Sequence, residues 1–270
     1  GLPSWPGVLS SSDAVNPSAS LNASTFGPGV AVADVDGDRD LDLFLPGCGT
    51  NGRGVLYLNH LGAFTAKSNS GINGLDAIGS FFGDFDKDGD PDLFLTCFGP
   101  DRIFQNDGSG TFTDITAACG VAGDDCISVG AAWADIDHDN DLDLLVARYG
   151  RCDGSEGGVA NSLWRNNGDG SFIDVAAEAG LDGGERRSLG VALIDLDDDR
   201  DLDLLFLHRD SDNQVFLNDR VGVYRPANGQ FPELAKAGDS YGIVCGDVDQ
   251  NGLEDLIVLR GPATPKLFLQ

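Results

Sequence analysis

Five nine-residue windows of the chain place oxygen-bearing side chains on alternate residues: Asp34, Asp36, Asp38, Asp40 and Asp42; Asp84, Asp86, Asp88, Asp90 and Asp92; Asp135, Asp137, Asp139, Asp141 and Asp143; Asp195, Asp197, Asp199, Asp201 and Asp203; and Asp247, Asp249, Asn251 and Asp255, where Leu253 at position seven offers its carbonyl alone. Side chains at loop positions one, three and five can curl around a hard cation. The carbonyl of position seven and the carboxylate of position nine complete an oxygen cage. Calcium accepts six to eight such oxygens in loose geometry, magnesium demands a tight octahedron, and zinc is disfavoured by the lack of His or Cys in the pattern. About five calcium ions, one per window, are therefore expected. An EF-hand would need a bidentate Glu at position twelve, where this chain has Leu45, Leu95, Val146, Phe206 and Val258. Position six needs a residue that tolerates positive φ; Gly89, Gly252 and Asn140 suit it, whereas Arg39 and Arg200 predict two looser or differently turned loops.

These windows are one part of a longer repeat. Their first aspartates are 50, 51, 60 and 52 residues apart. A Gly lies five residues before each one (Gly29, Gly79, Gly130, Gly190, Gly242), and a short apolar strand such as "GSFFGD" or "GAAWAD" joins the two. A second strand follows each window ("LDLFL", "PDLFL", "LDLLV", "LDLLF", "EDLIV"), then a third ("LYLN", "IFQN", "LWRN", "VFLN", "LFLQ"). A tight turn and a fourth strand complete the unit, most fully in "NDGSGTFTDITAACG" and "NNGDGSFIDVAAEAG", where one helical turn after strand four is the longest helix expected. Repeats of this length made of four short strands are propeller blades, which gain stability by stacking face to face. The reading is all-β: a single β-propeller domain over 1–270, with blades beginning near 29, 79, 130, 190 and 242. The last blade stops after strand three, and the N-terminal segment 1–28 is expected to supply its fourth strand. The competing geometry is a fragment of a seven-bladed ring.

The formal charge of -27 argues against nucleic acid or anionic membrane as a partner. The windows hold 25 of the 44 acidic residues, so the excess is local and calls for a local counter-charge. No apolar run is long enough to span a bilayer, so no membrane insertion is expected. A chain that begins with Gly and contains no Met fits a processed or trimmed product. Six Cys without a zinc-like spacing suggest disulfides in an oxidising compartment. Cys119–Cys126 and Cys48–Cys97 are the candidate pairs, with Cys245 a buried thiol in an apolar strand. Asn22-Ala-Ser24 is a glycosylation sequon if the source is a secreted eukaryotic protein.

The recurring pattern GxxxxDxDxDGxxDLxx…LYxNxGxGxFxDxT resembles the FG-GAP/VCBS repeats of integrin α-subunit propellers and of the cartilage acidic protein (ASPIC/UnbV-associated) group. It covers nearly all of residues 29–270. The resemblance implies a β-propeller with calcium between strands one and two and an extracellular, cell-surface or periplasmic setting. It also implies adhesion or ligand binding more often than catalysis. Five repeats are present where that family commonly has seven, and no extension of the kind found in that group is present.

No catalytic constellation is expected. "GDSYG" at 238–242 fits a nucleophile elbow around Ser240, but Ser128-Val-Gly130 and Ser188-Leu-Gly190 occupy the same place in other repeats, so Ser-x-Gly is a blade-junction element. His138 sits at a non-ligand position of a metal loop and is expected to face solvent. Up-and-down strand order sends the blade-to-blade and strand-two-to-three loops to the face opposite the metal loops. There Arg148, Tyr149, Arg151, Arg186 and Arg187 form a candidate ligand face for an acidic protein patch or anionic glycan. The favoured function is a calcium-stabilised extracellular binding or scaffold module; the alternatives are a secreted polysaccharide-active or other hydrolytic enzyme and an accessory subunit of a larger complex. Convergent His, Tyr, Arg and carboxylate groups at the central channel would favour the enzyme.

Overall fold

Short alternating strands bounded by Gly and Asn turns fold into five consecutive antiparallel sheets, each running outward in simple chain order. The computed structural model describes residues 29–47, 54–72, 77–121, 125–153, 155, 157–181, 184, 186–220, 222–236, 240–260 and 264–269. Blade one comprises β1 (Ala31–Ala33), β2 (Asp42–Leu45), β3 (Val55–His60) and β4 (Ala63–Ala66). Blade two comprises β5 (Ala77–Gly83), β6 (Asp92–Cys97), β7 (Arg102–Asn106) and β8 (Phe112–Asp114), followed by the single-turn α1 (Thr116–Cys119). Blade three is β9 (Cys126–Ala134), β10 (Asp143–Arg151), β11 (Ser162–Asn166) and β12 (Phe172–Asp174). Blade four is β13 (Ser188–Ile194), β14 (Asp203–His208), β15 (Gln214–Asn218) and β16 (Tyr224–Pro226), followed by α2 (Pro232–Ala235). Blade five has β17 (Ser240–Gly246), β18 (Asp255–Arg260) and β19 (Lys266–Phe268). The all-β, five-blade propeller expected from the repeat is what forms. The segment 1–28, expected to close blade five, lies outside the described residues.

Strand alternation builds the core between blades. Phe44 and Leu56 of blade one meet Leu93, Leu95 and Phe104 of blade two. Phe94 and Ile103 then meet Leu144, Val146 and Trp164 of blade three. Leu145 and Leu163 meet Leu204, Phe206 and Phe216 of blade four. Leu205 and Val215 meet Leu256 and Val258 of blade five. Successive side chains of one strand thus serve opposite interfaces, the period-two rule applied to stacked sheets.

The recurring Gly has a packing reason. Innermost strands of adjacent blades touch, and a Cβ on Gly130 would lie 3.0 Å from the Cα of Gly190. A Cβ on Gly29 would lie 3.3 Å from the Cα of Gly79. Among the described residues, β17 does not return onto β1 in that way. Among the described residues, no further blade covers the outer faces of blades one and five. Leu267 is 51% exposed, whereas Leu56, Ile103, Leu163 and Val215 at the same third-strand position are fully buried.

Among the cysteines, Cys119 carries a free, buried thiol whose Sγ donates to the carbonyl of Thr116 at 3.6 Å, so the Cys119–Cys126 bridge is not formed. Its place on the single helical turn holds it in the interior between blades two and three. The pair Cys48–Cys97 includes a residue outside those described. Cys245 is a half-buried thiol, and burial raises its pKa.

Candidate metal centres

Each acidic window is the turn between the first two strands of its blade, and all five turn alike. Backbone N–H groups organise the carboxylates. Position six donates to the position-one aspartate in every loop: Arg39 to Asp34 at 2.9 Å, Gly89 to Asp84 at 3.1 Å, Asn140 to Asp135 at 3.1 Å, Arg200 to Asp195 at 2.9 Å and Gly252 to Asp247 at 3.0 Å. Position seven donates to position five with the same regularity, from Asp40 to Asp38 through Leu253 to Asn251. Arg39 and Arg200 both adopt φ of 74°, so the looser turn predicted for them does not occur. The surrounding hydrogen bonds hold these two L-residues in the left-handed region. Position four is left-handed as well (Gly37, Lys87, His138, Asp198, Gln250), a requirement the sequence pattern did not reveal.

The result is a set of converging oxygens. Asp34, Asp36 and Asp42 bring one carboxylate oxygen each within 4.8 Å of the others, as do Asp84, Asp86 and Asp92, then Asp135, Asp137 and Asp143, and Asp195, Asp197 and Asp199. The buried oxygens Oδ1 of Asp36, Asp84, Asp135 and Asp137 have no hydrogen-bond partner. A buried carboxylate oxygen left bare costs free energy unless something positive meets it. An all-oxygen, acidic donor set that includes orphaned buried atoms fits a hard divalent cation.

Position nine does more than the sequence suggested. Asp42, Asp92, Asp143, Asp203 and Asp255 are all fully buried. Asp92 accepts from the N–H of Phe85 at 3.2 Å and of Asn106 at 2.9 Å, and Asp143 accepts from Ile136 at 3.2 Å and Asn166 at 2.8 Å. Asp42 and Asp203 repeat the arrangement. This residue therefore staples the loop to strand three. Burial, reinforced by the charges of Asp86 and Asp88, pushes Asp92 up to about 7 against those N–H donors. Burial does the same to Asp143, up to about 7, with Asp137 and Asp139 as the repelling charges. Asp203 is raised to about 6.

The third-strand Asn completes the design, and the recurring "N" of "LYLN", "IFQN", "LWRN" and "VFLN" is the signal that carried it. The side chain of Asn106 donates to the carbonyl of Val35 at 2.9 Å, that of Asn166 to Phe85 at 2.9 Å, and that of Asn218 to Ile136 at 3.4 Å. Blades two, three and four thereby each grip the acidic loop of the blade before them. Position-seven carboxylates also reach across blades: Asp141 pairs with Lys87 at 2.7 Å, and Asp201 is hydrogen-bonded to Nε2 of His138 at 3.0 Å. His138 is exposed, as expected from its non-ligand position, and its ring meets the buried Asp201 of the next blade.

On the opposite face, the predicted ligand residues divide. Arg151 is exposed, and Arg186 and Arg187 are half-buried. Arg148 and Tyr149 are 8% and 3% exposed, because β10 continues to Arg151 alongside a bulged β9. Tyr149 accepts a 2.7 Å hydrogen bond from Arg209 on its hydroxyl, and the guanidinium carbons of Arg187 and Arg209 lie 5.8 and 5.9 Å from its ring centroid. Arg209, immediately after β14, is the residue that joins the cluster. Asp101 lies below; burial pushes it up to about 6 although Ser128 and the N–H of Cys97 donate to it and Arg148 is near.

Ser240 is fully buried at the start of β17 and accepts from Asn213 at 3.2 Å. It lies on an antiparallel strand paired with β18, not on the strand-turn-helix that an elbow needs. Ser188 and His208 are 3.3 Å apart, but both are fully buried and the far ring nitrogen of His208 meets the amide oxygen of Gln214 rather than a carboxylate.

Residues 34–95, 84–146 and 195–258 each match the family model described as an FG-GAP-like repeat. Among curated proteins the chain is similar to cartilage acidic protein 1 of Xenopus tropicalis, at 30% identity over 43% of this chain and 18% of that protein. It is also similar to cartilage acidic protein 1 of Homo sapiens, at 36% identity over 24% of this chain and 10% of that protein. The matches therefore span less than a fifth of either relative's length. A solved lectin of Agrocybe aegerita, studied for recognition of non-reducing terminal N-acetylglucosamine, aligns with 86% of this chain and 60% of its own at 19% identity and a TM-score of 0.51. That likeness shows the propeller fold alone. No helix among the described residues is long and apolar enough to cross a membrane.

Proposed function

The chain belongs to the FG-GAP-like repeat family, and on that premise we propose that it is a calcium-stabilised, extracellular binding or scaffold module. The observation that carries the reading is the set of buried carboxylate oxygens without hydrogen-bond partners, found at matching places in successive loops. Asp34, Asp36, Asp38 and Asp42 and their counterparts would hold the ion, with the carbonyls of Asp40, Asp90, Asp141, Asp201 and Leu253 as further donors. The ion supplies positive charge that offsets mutual repulsion and fixes the hairpins. It performs no chemistry.

The partner is proposed to meet the opposite face, where Arg187 and Arg209 lie over the buried Tyr149 and Arg151 is exposed nearby in sequence. Planar guanidinium groups held by an aromatic ring suit carboxylate or sulfate groups, so an acidic protein patch or anionic glycan is the class of ligand expected. Kinship with cartilage acidic protein supports the extracellular setting. The buried Ser240, and the Ser188–His208 pair that lacks a carboxylate, support a non-catalytic role.

Calorimetric titration with calcium, followed by binding to an immobilised sulfated polysaccharide and to a neutral polymer of N-acetylglucosamine, tests both halves. Saturable calcium binding, plus capture by the sulfated matrix that Arg151→Glu with Arg187→Glu abolishes, is expected. Absence of calcium binding in the folded chain overturns the first half. Capture that survives both charge reversals overturns the second.

A further inference from the structure

The position-nine carboxylates of blades one to four are not isolated staples. In blade two, Oδ2 of Asp92 accepts from the N–H of Phe85 and Oδ1 from the N–H of Asn106. The carbonyl of Phe85 accepts from the side chain of Asn166 at 2.9 Å, and the N–H of Asn166 donates to Oδ1 of Asp143 at 2.8 Å. A continuous path of hydrogen bonds, Asp92–Phe85–Asn166–Asp143, thus leads from the buried carboxylate of one acidic loop to that of the next. The path repeats on both sides. Asp42, Val35, Asn106 and Asp92 are joined at 2.9 Å per step. Asp143, Ile136, Asn218 and Asp203 follow at 3.2, 3.4 and 2.8 Å. The four carboxylates, all fully buried, therefore belong to one relay.

This relay runs through the residues that aim the ion ligands. Val35, Phe85 and Ile136 stand between positions one and three of their loops, so the backbone of each sets the direction of two carboxylates. The N–H is held by its own loop and the carbonyl by the blade that follows. An ion that fixes Asp143 also fixes Asn166. Asn166 in turn holds Phe85 in the setting that brings oxygens of Asp84, Asp86 and Asp92 within 4.8 Å of one another. Part of the ordering cost of one site is then met by its neighbour, which is a positive coupling. Mutual repulsion of bound ions acts the other way. Salt at about 0.15 M screens that repulsion over roughly 8 Å, whereas the hydrogen bonds of the relay are buried contacts.

We propose that the relay couples the ion sites of blades one to four, so that filling one raises the calcium affinity of its neighbours, an inference that rests on the calcium reading above. Coupling is greatest between blades two and three, where the Asn bond is 2.9 Å and Lys87 also meets Asp141 at 2.7 Å. It is weaker between blades three and four, where the Asn bond lengthens to 3.4 Å.

The position-six N–H groups, each bonded to the first aspartate of its loop, let nuclear magnetic resonance follow each site separately while the full chain is titrated with calcium. In the unmodified chain the Gly89 and Asn140 resonances should move over one common range of calcium. Asp86→Asn, which weakens the blade-two site, should raise the calcium midpoint at Asn140 about fivefold or more. Asn166→Ala keeps every ligand of both loops and the N–H to Asp143 but removes the bond to Phe85. In that background Asp86→Asn should no longer move the Asn140 midpoint, whereas Asn218→Ala, one interface further on, should leave the effect in place. If Asn166→Ala does not fold, Asn106→Ala with Asp36→Asn, read at Gly89, repeats the cycle at the first interface. An Asn140 midpoint unmoved or lowered by Asp86→Asn overturns the coupling. So does an effect that survives Asn166→Ala, because long-range charge alone then explains it. Both results leave calcium binding intact, whereas no response of either resonance to calcium overturns the calcium reading and the coupling with it.

Discussion

Asp143→Asn separates the two roles of the position-nine carboxylate, because calcium and chelator should reverse the sign of its effect. Asp143 is fully buried and accepts from Ile136 and Asn166. An amide at this place keeps one acceptor and turns an N–H toward the other donor. Losing one hydrogen bond to a charged acceptor costs about 1.5–3 kcal/mol. With calcium bound, the variant also loses an anionic ligand; emptying a site held at a hundred times its dissociation constant removes about 2.7 kcal/mol. The sum, about 4–6 kcal/mol, corresponds to a fall in melting temperature of roughly 10–20 °C for a domain of this size. Without calcium the balance changes. Asp143 is raised to about 7 by burial and by Asp137 and Asp139. A carboxyl whose folded pKa exceeds its unfolded value contributes stability at low pH and loses it as pH rises through the folded value. At pH 8 the ionised group should therefore weaken the metal-free fold by about 3–4 kcal/mol. Asn removes that repulsion, so in chelator at pH 8 the variant should match or exceed the parent. Thermal unfolding followed by circular dichroism, in millimolar calcium and in chelator, provides the measurement. An equal loss of stability in both conditions would refute the reasoning, since the carboxylate would then be a staple and nothing more.

Gly130→Val should lower stability by about 1–3 kcal/mol, read from chemical denaturation midpoints, because the new Cβ meets the Cα of Gly190 at 3.0 Å; Gly184→Ala, a left-handed glycine with nothing near it, should cost less. Asn166→Leu strands the carbonyls of Phe85 and Leu142 and the N–H of Gly168, and should cost about 2–4 kcal/mol with faster exchange in the blade-two loop as well as in blade three. Burial holds the fully buried His208 down at about 4, aided by Arg186 and opposed by Gln214. A depressed pKa gives stability that is complete above the unfolded value and lost as pH falls toward the folded one, so unfolding between pH 6.5 and 4 should take up close to one proton more than in His208→Gln, as potentiometric or calorimetric pH series would show.

The repeat made most of this fold readable. Five spaced aspartate clusters identified the hairpins, and period-two apolar runs between Gly and Asn turns identified the strands. The register of burial then followed, since Leu144 and Leu145 could only serve opposite interfaces. What stayed hidden depends on contacts between distant segments. Position nine looked like one more ligand because a sequence does not show which N–H groups surround a carboxylate. The left-handed residues at position four, among them His138 and Lys87, have no common side-chain chemistry, so no pattern marked them. Arg148 and Tyr149 read as loop residues, yet bulged pairing with β9 extends β10 through them and takes both inside. Cys119 and Cys126 are close in sequence, but the helical turn holds Cys119 among the apolar side chains between two blades.

The asparagine grip between neighbouring blades has a direction. Asn106, Asn166 and Asn218 each reach backwards, to the hairpins that begin at Asp34, Asp84 and Asp135. A disturbance in one turn is therefore felt first by the sheet that follows it, so damage to the hairpin at Asp84 should loosen blade three before it reaches blade one.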